Sequence, residues 1–182
     1  AFILLAQGDP DSALQEAATS HRLSTALSPS TQARSAAVHV QIALALGDID
    51  TAVQLADQLR EDIDAHSLYR FLGLTLPRLL IVQGKNEEAA SRLRNCYKTA
   101  VSHEWGYGLL ATLVLQSLAA TSTPEAQQFL IEALHLTKPE RFIRTFADHG
   151  QPMRRLLLSS PAQAIMPQYI SDILAAIGDY HE

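Results

Sequence analysis

His103-Glu104 begins like a zinc-protease helix, in which a second histidine four residues after the first lets one helix face present two imidazoles to the metal. Here that place is held by Tyr107, so the pair reads as a loop ahead of a helix and not as a metal site. Seven histidines (21, 39, 66, 103, 135, 149 and 181) share no ligand spacing. His39, amid Ala36, Ala37 and Val40, reads as a partly buried packing residue. Glu61-Asp62-Ile63-Asp64 with His66 offers at most a weak cation site and reads first as a solvated helix end. Cys96, three residues after Leu93, reads as an inert buried thiol and not as a nucleophile. There is no Gly-x-Ser-x-Gly elbow and no Gly-x-x-x-x-Gly-Lys-Ser/Thr phosphate loop in the sequence. These patterns point away from an enzyme, and no metal or cofactor is expected. Arg141, Arg144, Arg154 and Arg155 gather in an otherwise acidic chain. They read as a surface for docking a neighbouring module or another protomer, with scattered surface charge as the plainer alternative.

The elements that would position these groups are helical. Of 182 residues, 27 are alanine and 28 leucine, the two strongest helix formers, so an all-α fold is expected. The net charge of −5 argues against direct nucleic-acid binding, which recruits an excess of lysine and arginine. A single cysteine rules out an internal disulfide framework and fits a reducing, cytoplasmic setting. The apolar run Leu109–Leu115 is far short of the roughly 20 residues that span a bilayer, and no secretory leader is visible. The chain opens in the middle of an apolar pattern and reads as a piece of a longer protein.

A short segment recurs along the chain. Gln7-Gly8-Asp9-Pro10-Asp11-Ser12-Ala13 returns as Leu46-Gly47-Asp48-Ile49-Asp50-Thr51-Ala52, as Gln83-Gly84-Lys85-Asn86-Glu87-Glu88-Ala89, and more weakly at Ala120–Ala126. The closing alanines are spaced by 39, 37 and 37 residues. Each glycine stands where a helix must end in a residue that tolerates positive φ. The following Asp or Ser can cap the next helix, and Pro10 and Pro124 fall where a missing N–H costs little. The small alanines let two helices approach closely. The predicted helices are a stub over 1–7 with 11–27, then 30–46 with 50–63, 66–83 with 87–102, and 105–119 with 124–137. Pro77 lies inside 66–83, which predicts a kink or a split there. Beyond 138 a short helix near Pro139, a turn at His149-Gly150-Gln151-Pro152, a helix over 153–158 and a last one over 169–177 are expected to cover the end of the stack. The domains are thus residues 1–138, helical repeats, and 139–182, capping helices. Residues 1–27 present an uncovered face, through which self-association is expected.

The turn signature between paired helices resembles the tetratricopeptide repeat. The stretch Ala133-Leu134-x-Leu136-x-x-Pro139-Glu140-x-Phe142-Ile143-Arg144-x-Phe146-x-Asp148-x-Gly150-x-Pro152-Met153, followed by Leu156-Leu157, is similar to the segment that closes the repeat region of MalT-like, LuxR-type transcriptional activators. Arg141 stands for the usual glycine and His149 for the usual glutamate. The resemblance implies a right-handed solenoid of about four helix pairs, the sensor of an activator whose nucleotide-binding switch of the STAND class precedes it and whose helix-turn-helix follows it. Such a sensor takes a small-molecule inducer, a peptide or a regulatory protein and controls ATP-dependent assembly, while DNA contact and any nucleotide belong to the other domains. If the family geometry holds, Arg34 and Gln41 face the concave groove from the second pair, Phe71 and Arg78 from the third, and Trp105 and Tyr107 stand near its rim. Arginine, amide and planar aromatic groups together suit a sugar, a carboxylate or a peptide end. Ala37, Leu44, Leu74, Ile81, Ala111 and Leu115 would line the rest of that wall.

Overall fold

Gly8 and Gly47 set the joints of the first two repeats. Both take φ of +77°, and Gly84 takes +74°. At the first joint the N–H of Asp9 bonds the Leu4 carbonyl at 3.0 Å while that of Gly8 bonds Leu5 at 3.1 Å; at the second, Asp48 reaches Ala43 at 2.9 Å and Gly47 reaches Leu44 at 3.2 Å. This double bond pattern closes the orphan carbonyls of a helix end and needs a left-handed residue at its centre. The aspartate that follows then starts the next helix, since Oδ1 of Asp9 accepts from the Ser12 N–H and Oδ1 of Asp48 from the Thr51 N–H, each at 3.1 Å. A Cβ at Gly47 would meet nothing within 4 Å, so substitution there strains only the backbone. Gly47→Ala is expected to lower stability by about 1–2 kcal/mol and Gly47→Asn by less; chemical denaturation of the two variants checks this.

The computed structural model describes residues 1–56, 59, 73–137 and 142–178, and among these there are twelve helices and no strand. The all-α expectation is met. Contacts divide the chain into two compact units, residues 1–84 and 85–182. The first holds α1 (Phe2–Ala6), α2 (Pro10–Ser24), α3 (Pro29–Ala45), α4 (Ile49–Ala56) and α5 (Thr75–Val82). Helix α3 is its centre, packed on α2, α4 and α5. Ala36, Ala37, Val40, Ala43 and Leu44 of α3 meet Ala52, Leu55 and Ala56 of α4, together with Leu59 and with Leu79 of α5. On the α2 side the seam is thin, with Ala13 and Ala17 against Ile42 and a buried 2.6 Å hydrogen bond from Ser35 Oγ to Ser24 Oγ. The stub α1 leaves Phe2 and Ile3 exposed.

The second unit holds α6 (Asn86–Ser102), α7 (Gly106–Ala119), α8 (Thr123–Leu136), α9 (Ile143–Ala147), α10 (Gly150–Leu158), α11 (Ala162–Ile165) and α12 (Pro167–Gly178). Its core joins Leu110, Leu113 and Val114 of α7 to Leu130, Ala133 and Leu134 of α8. The last helices close over them through Phe146, Met153, Leu157, Ile170, Ile173 and Ile177.

Two prolines stand in first turns. Helix α5 begins at Thr75, with Leu74 as its cap, so Pro77 is the third residue of a first turn; of the kink or split expected there, this start agrees with the split. Pro152 is likewise third in α10; the expected turn over 149–152 is confined to Asp148 and His149, and Gly150 onward is helical. The reason is shared: the first N–H groups of a helix have no partner inside it, so a proline there removes no hydrogen bond. Helix α11 was not foreseen; the Oγ of Ser160 supports its start by accepting from the Ala162 N–H at 3.2 Å. The second half of the helix expected over 50–63, apart from Leu59, the first part of that over 66–83, the acidic run with His66, and the start near Pro139 lie outside the described residues.

Candidate functional site

His103 and Glu104 form a helix end. Nδ1 of His103 lies 2.9 Å from the Thr99 carbonyl and 3.0 Å from Ser102 Oγ, and Glu104 takes φ of +51°. The N–H of Trp105 bonds the Ala100 carbonyl at 2.9 Å and that of Glu104 bonds Val101 at 3.1 Å, so Glu104 does here what Gly8 and Gly47 do at the earlier joints. Among the described residues no group of three or more potential ligands is placed to hold a metal ion. Cys96 is buried.

In the first unit Arg34 is exposed on α3 between buried Ala33 and Ser35. Gln41, two turns further on, lies on the same helix face by the helical repeat. Its Nε2 donates to Thr75 Oγ1 at 2.7 Å, tying the centre of α3 to the first turn of α5. Arg78, half-buried, follows Thr75 by three residues and so shares its side of α5. Gln41 thus serves as a cross-helix link from α3, which carries Arg34, to the first turn of α5, which Arg78 follows. Phe71 lies outside the described residues. Of the apolar wall, Leu74, Ile81 and Ala111 are half-buried, whereas Ala37, Leu44 and Leu115 are buried. That part of the expectation is corrected. Ala37 and Leu44 are consumed in the contact of α3 with α4, leaving them no surface to offer a ligand.

In the second unit Trp105 precedes α7, and its indole lies against Gly108: a Cβ added there would clash with Cε3, Cδ2 and Cζ3 of the ring. The glycine is what leaves room for the ring at the helix start. Tyr107 is 52% exposed and its ring centroid is 6.1 Å from that of Phe142, itself 36% exposed. Two aromatic rings therefore share the surface at the beginning of α7. Phe142 carries no role in the sequence reading beyond its place in the tail signature, because only the fold brings it to Tyr107.

The described basic residues of the tail stand in different settings. Arg144 Nε is 2.8 Å from Asp148 Oδ1 on its own helix, with both side chains 44% exposed, a pair of the kind worth about 0.2–1 kcal/mol. Arg154 is half-buried. Arg155 is exposed at a shallow cleft of about 340 Å³ between the α7–α8 turn and α10, beside Ser117, Ser122, Thr123 and Ser159. Gln127 braces that wall, donating weakly to Ser159 Oγ at 3.3 Å and to the Leu156 carbonyl at 3.4 Å. Arg141 lies outside the described residues.

One polar pair escaped the sequence reading as a site. The rings of His21 on α2 and His39 on α3 are 6.0 Å apart, centroid to centroid. His39 is only 9% exposed, and its Nδ1 has no hydrogen-bond partner. Burial, reinforced by the positive charge available at His21, holds its pKa below the ordinary 6.5, with Asp48 opposing. The signal available in sequence, a histidine within an alanine-rich stripe, showed burial but not the second imidazole.

Helix hairpins joined by Gly-Asp turns, small residues at the helix crossings and polar or aromatic groups left on the outer faces define a tetratricopeptide-like repeat region, a class that typically acts as a non-catalytic scaffold for protein or ligand interaction. The chain belongs to the family described as the MalT-like TPR region, whose model matches residues 1–161. No curated protein and no solved structure matches it. No helix among the described residues is long and apolar enough to cross a membrane.

Proposed function

We propose that this chain is the sensing region of a LuxR-type, ATP-dependent transcriptional activator, a non-enzymatic platform that takes an inducer, peptide or regulatory protein and thereby controls activator assembly in the cytoplasm. The observation that carries this reading is the extent of the family match, residues 1–161, which runs through the repeats and into the tail. Residues 139–182 then act as the cap that leads to a DNA-binding domain. The contact residues in this reading are Arg34, Gln41, Phe71 and Arg78 in the first unit and Trp105 and Tyr107 in the second. Arg141, Arg144, Arg154 and Arg155 are the docking residues for another domain or protomer. The exposed Tyr107–Phe142 pair favours a ligand with a flat apolar face. The alternative is a stand-alone scaffold of the same architecture.

The test is a thermal-shift screen of small metabolites and peptides, followed by titration of each hit against Arg34→Ala and Tyr107→Ala. A loss of affinity of about tenfold or more, the size expected when a charge-assisted contact worth about 1.5–3 kcal/mol is removed, is the expected result for at least one variant. Hits that bind both variants as tightly as the parent would refute the assignment of the contact face.

A further inference from the structure

The seam between α2 and α3 joins two histidines beside a small apolar cluster. Its buried apolar members are Ala13, Ala17 and Ile42, with Leu14 and Val38 partly buried beside them, a smaller cluster than the core of the second unit, where Phe146, Leu130, Leu134, Ile173 and Ile177 are all fully buried. Regions with few buried apolar contacts are the first to open locally. His39 sits in that seam with one ring nitrogen unbonded and His21 facing it. A charged imidazole in that place loses water without gaining an acceptor at Nδ1, and it is repelled by the second imidazole. Asp48 opposes the effect but comes after burial and His21, and the net shift is downward. The other charged groups on the described helices packed against α3 are Asp11, Glu16 and Arg22 of α2, Asp50 of α4 and Arg78 of α5; His21 and Asp48 are the ones that act on His39.

We propose that the α2–α3 seam is a proton-operated catch: uptake of a proton at His39, beside His21, releases α2 from α3 and uncovers Ile42. The sign follows from linkage. Above pH 6.5, the ordinary value for histidine, neither the closed nor the open seam carries the proton and the catch holds at full strength. Below it the open form is protonated and the closed form is not, so each further unit of pH shifts the balance tenfold toward opening until the lowered value of His39 is passed. The helix-capping carboxylates Asp9 and Asp48, both held below 3.8 by the N–H and hydroxyl of their capped residues, weaken only in stronger acid. The two effects therefore fall in separate ranges of pH.

Amide hydrogen exchange on the whole chain at pH 7.5 and 5.5, corrected for intrinsic rates, tests the proposal. The expected result is a loss of protection in α2 of several-fold to about tenfold, with α8 and α12 unchanged, and no such loss in His39→Gln. Equal losses in α2 and α12, or the same pH dependence in His39→Gln as in the parent, would overturn it. Should that variant fail to fold, the ring-proton titration of His39 in the parent chain decides the matter: a midpoint at or above the ordinary histidine value removes the basis of the catch.

Discussion

Phe146→Ala is expected to destabilise the second unit by about 3–5 kcal/mol, the usual range when a fully buried phenylalanine is cut back and its cavity only partly collapses. Phe146 is 0% exposed and meets Tyr169 edge-on, with centroids 6.2 Å apart and planes at 87°. It belongs to α9, five residues long, in which the only buried side chains are Phe146 and Ala147. A helix that short does not hold itself together in water; this one ring anchors it between α7 and α12. Its loss therefore opens the closing helices as a group, and near-UV dichroism, which reports the Tyr169 environment, should fall together with the denaturation midpoint. Phe146→Leu keeps most of the volume and should cost distinctly less. A Phe146→Ala chain with an unchanged midpoint would mean that the tail is not part of the core of this unit.

Gly108→Ala is the second large effect, expected at about 1–3 kcal/mol as for an overpacked site. Alanine is ordinarily the better helix former, so propensity alone predicts a gain. The Trp105 ring reverses the sign, because it occupies the place of the new Cβ and must swing off the helix. Trp105 is the single tryptophan of the chain, so its emission reports the event directly: a red shift in Gly108→Ala that Gly106→Ala, where a Cβ meets nothing within 4 Å, does not show. A stabilised variant with unshifted emission would contradict the packing of the indole on Gly108.

The contrast between these glycines shows where reading the chain succeeds and where it stops. Gly8, Gly47 and Gly84 are legible because their role is local: the bonds that need a left-handed residue run over three to five positions, and the next helix begins at once. Gly108 has an equally definite role, but it is set by a ring three residues away whose direction depends on how α7 leaves α6. Glu104 does a glycine's work at the turn from α6 to α7, a joint that no glycine at the left-handed position marks in the sequence. Pro77 leaves a kink and a split both open for a related reason, since the residue is a helix breaker or a helix starter according to where the first turn falls, and leucine-rich sequence on both sides does not mark that boundary.

Among the candidate contact residues, Arg34 on α3 and Tyr107 at the start of α7, both exposed, were legible through the family resemblance. The hydrogen bond of Gln41 to Thr75, the ring of Phe142 beside Tyr107, and His21 opposite His39 were not. Each joins residues far apart in sequence, and each depends on the register between neighbouring helices.

The amino-acid sequence by itself determined the helices, their joints and the family, since these rest on backbone conformation, capping and small-residue spacing, all of which act within a few residues. Only the tertiary structure decided which polar groups are already taken, which rings meet, and which histidine is stripped of water. The physical reason is distance: such pairings arise when separate helices come within a few ångströms of each other, and the pattern along one helix does not specify what its neighbour presents.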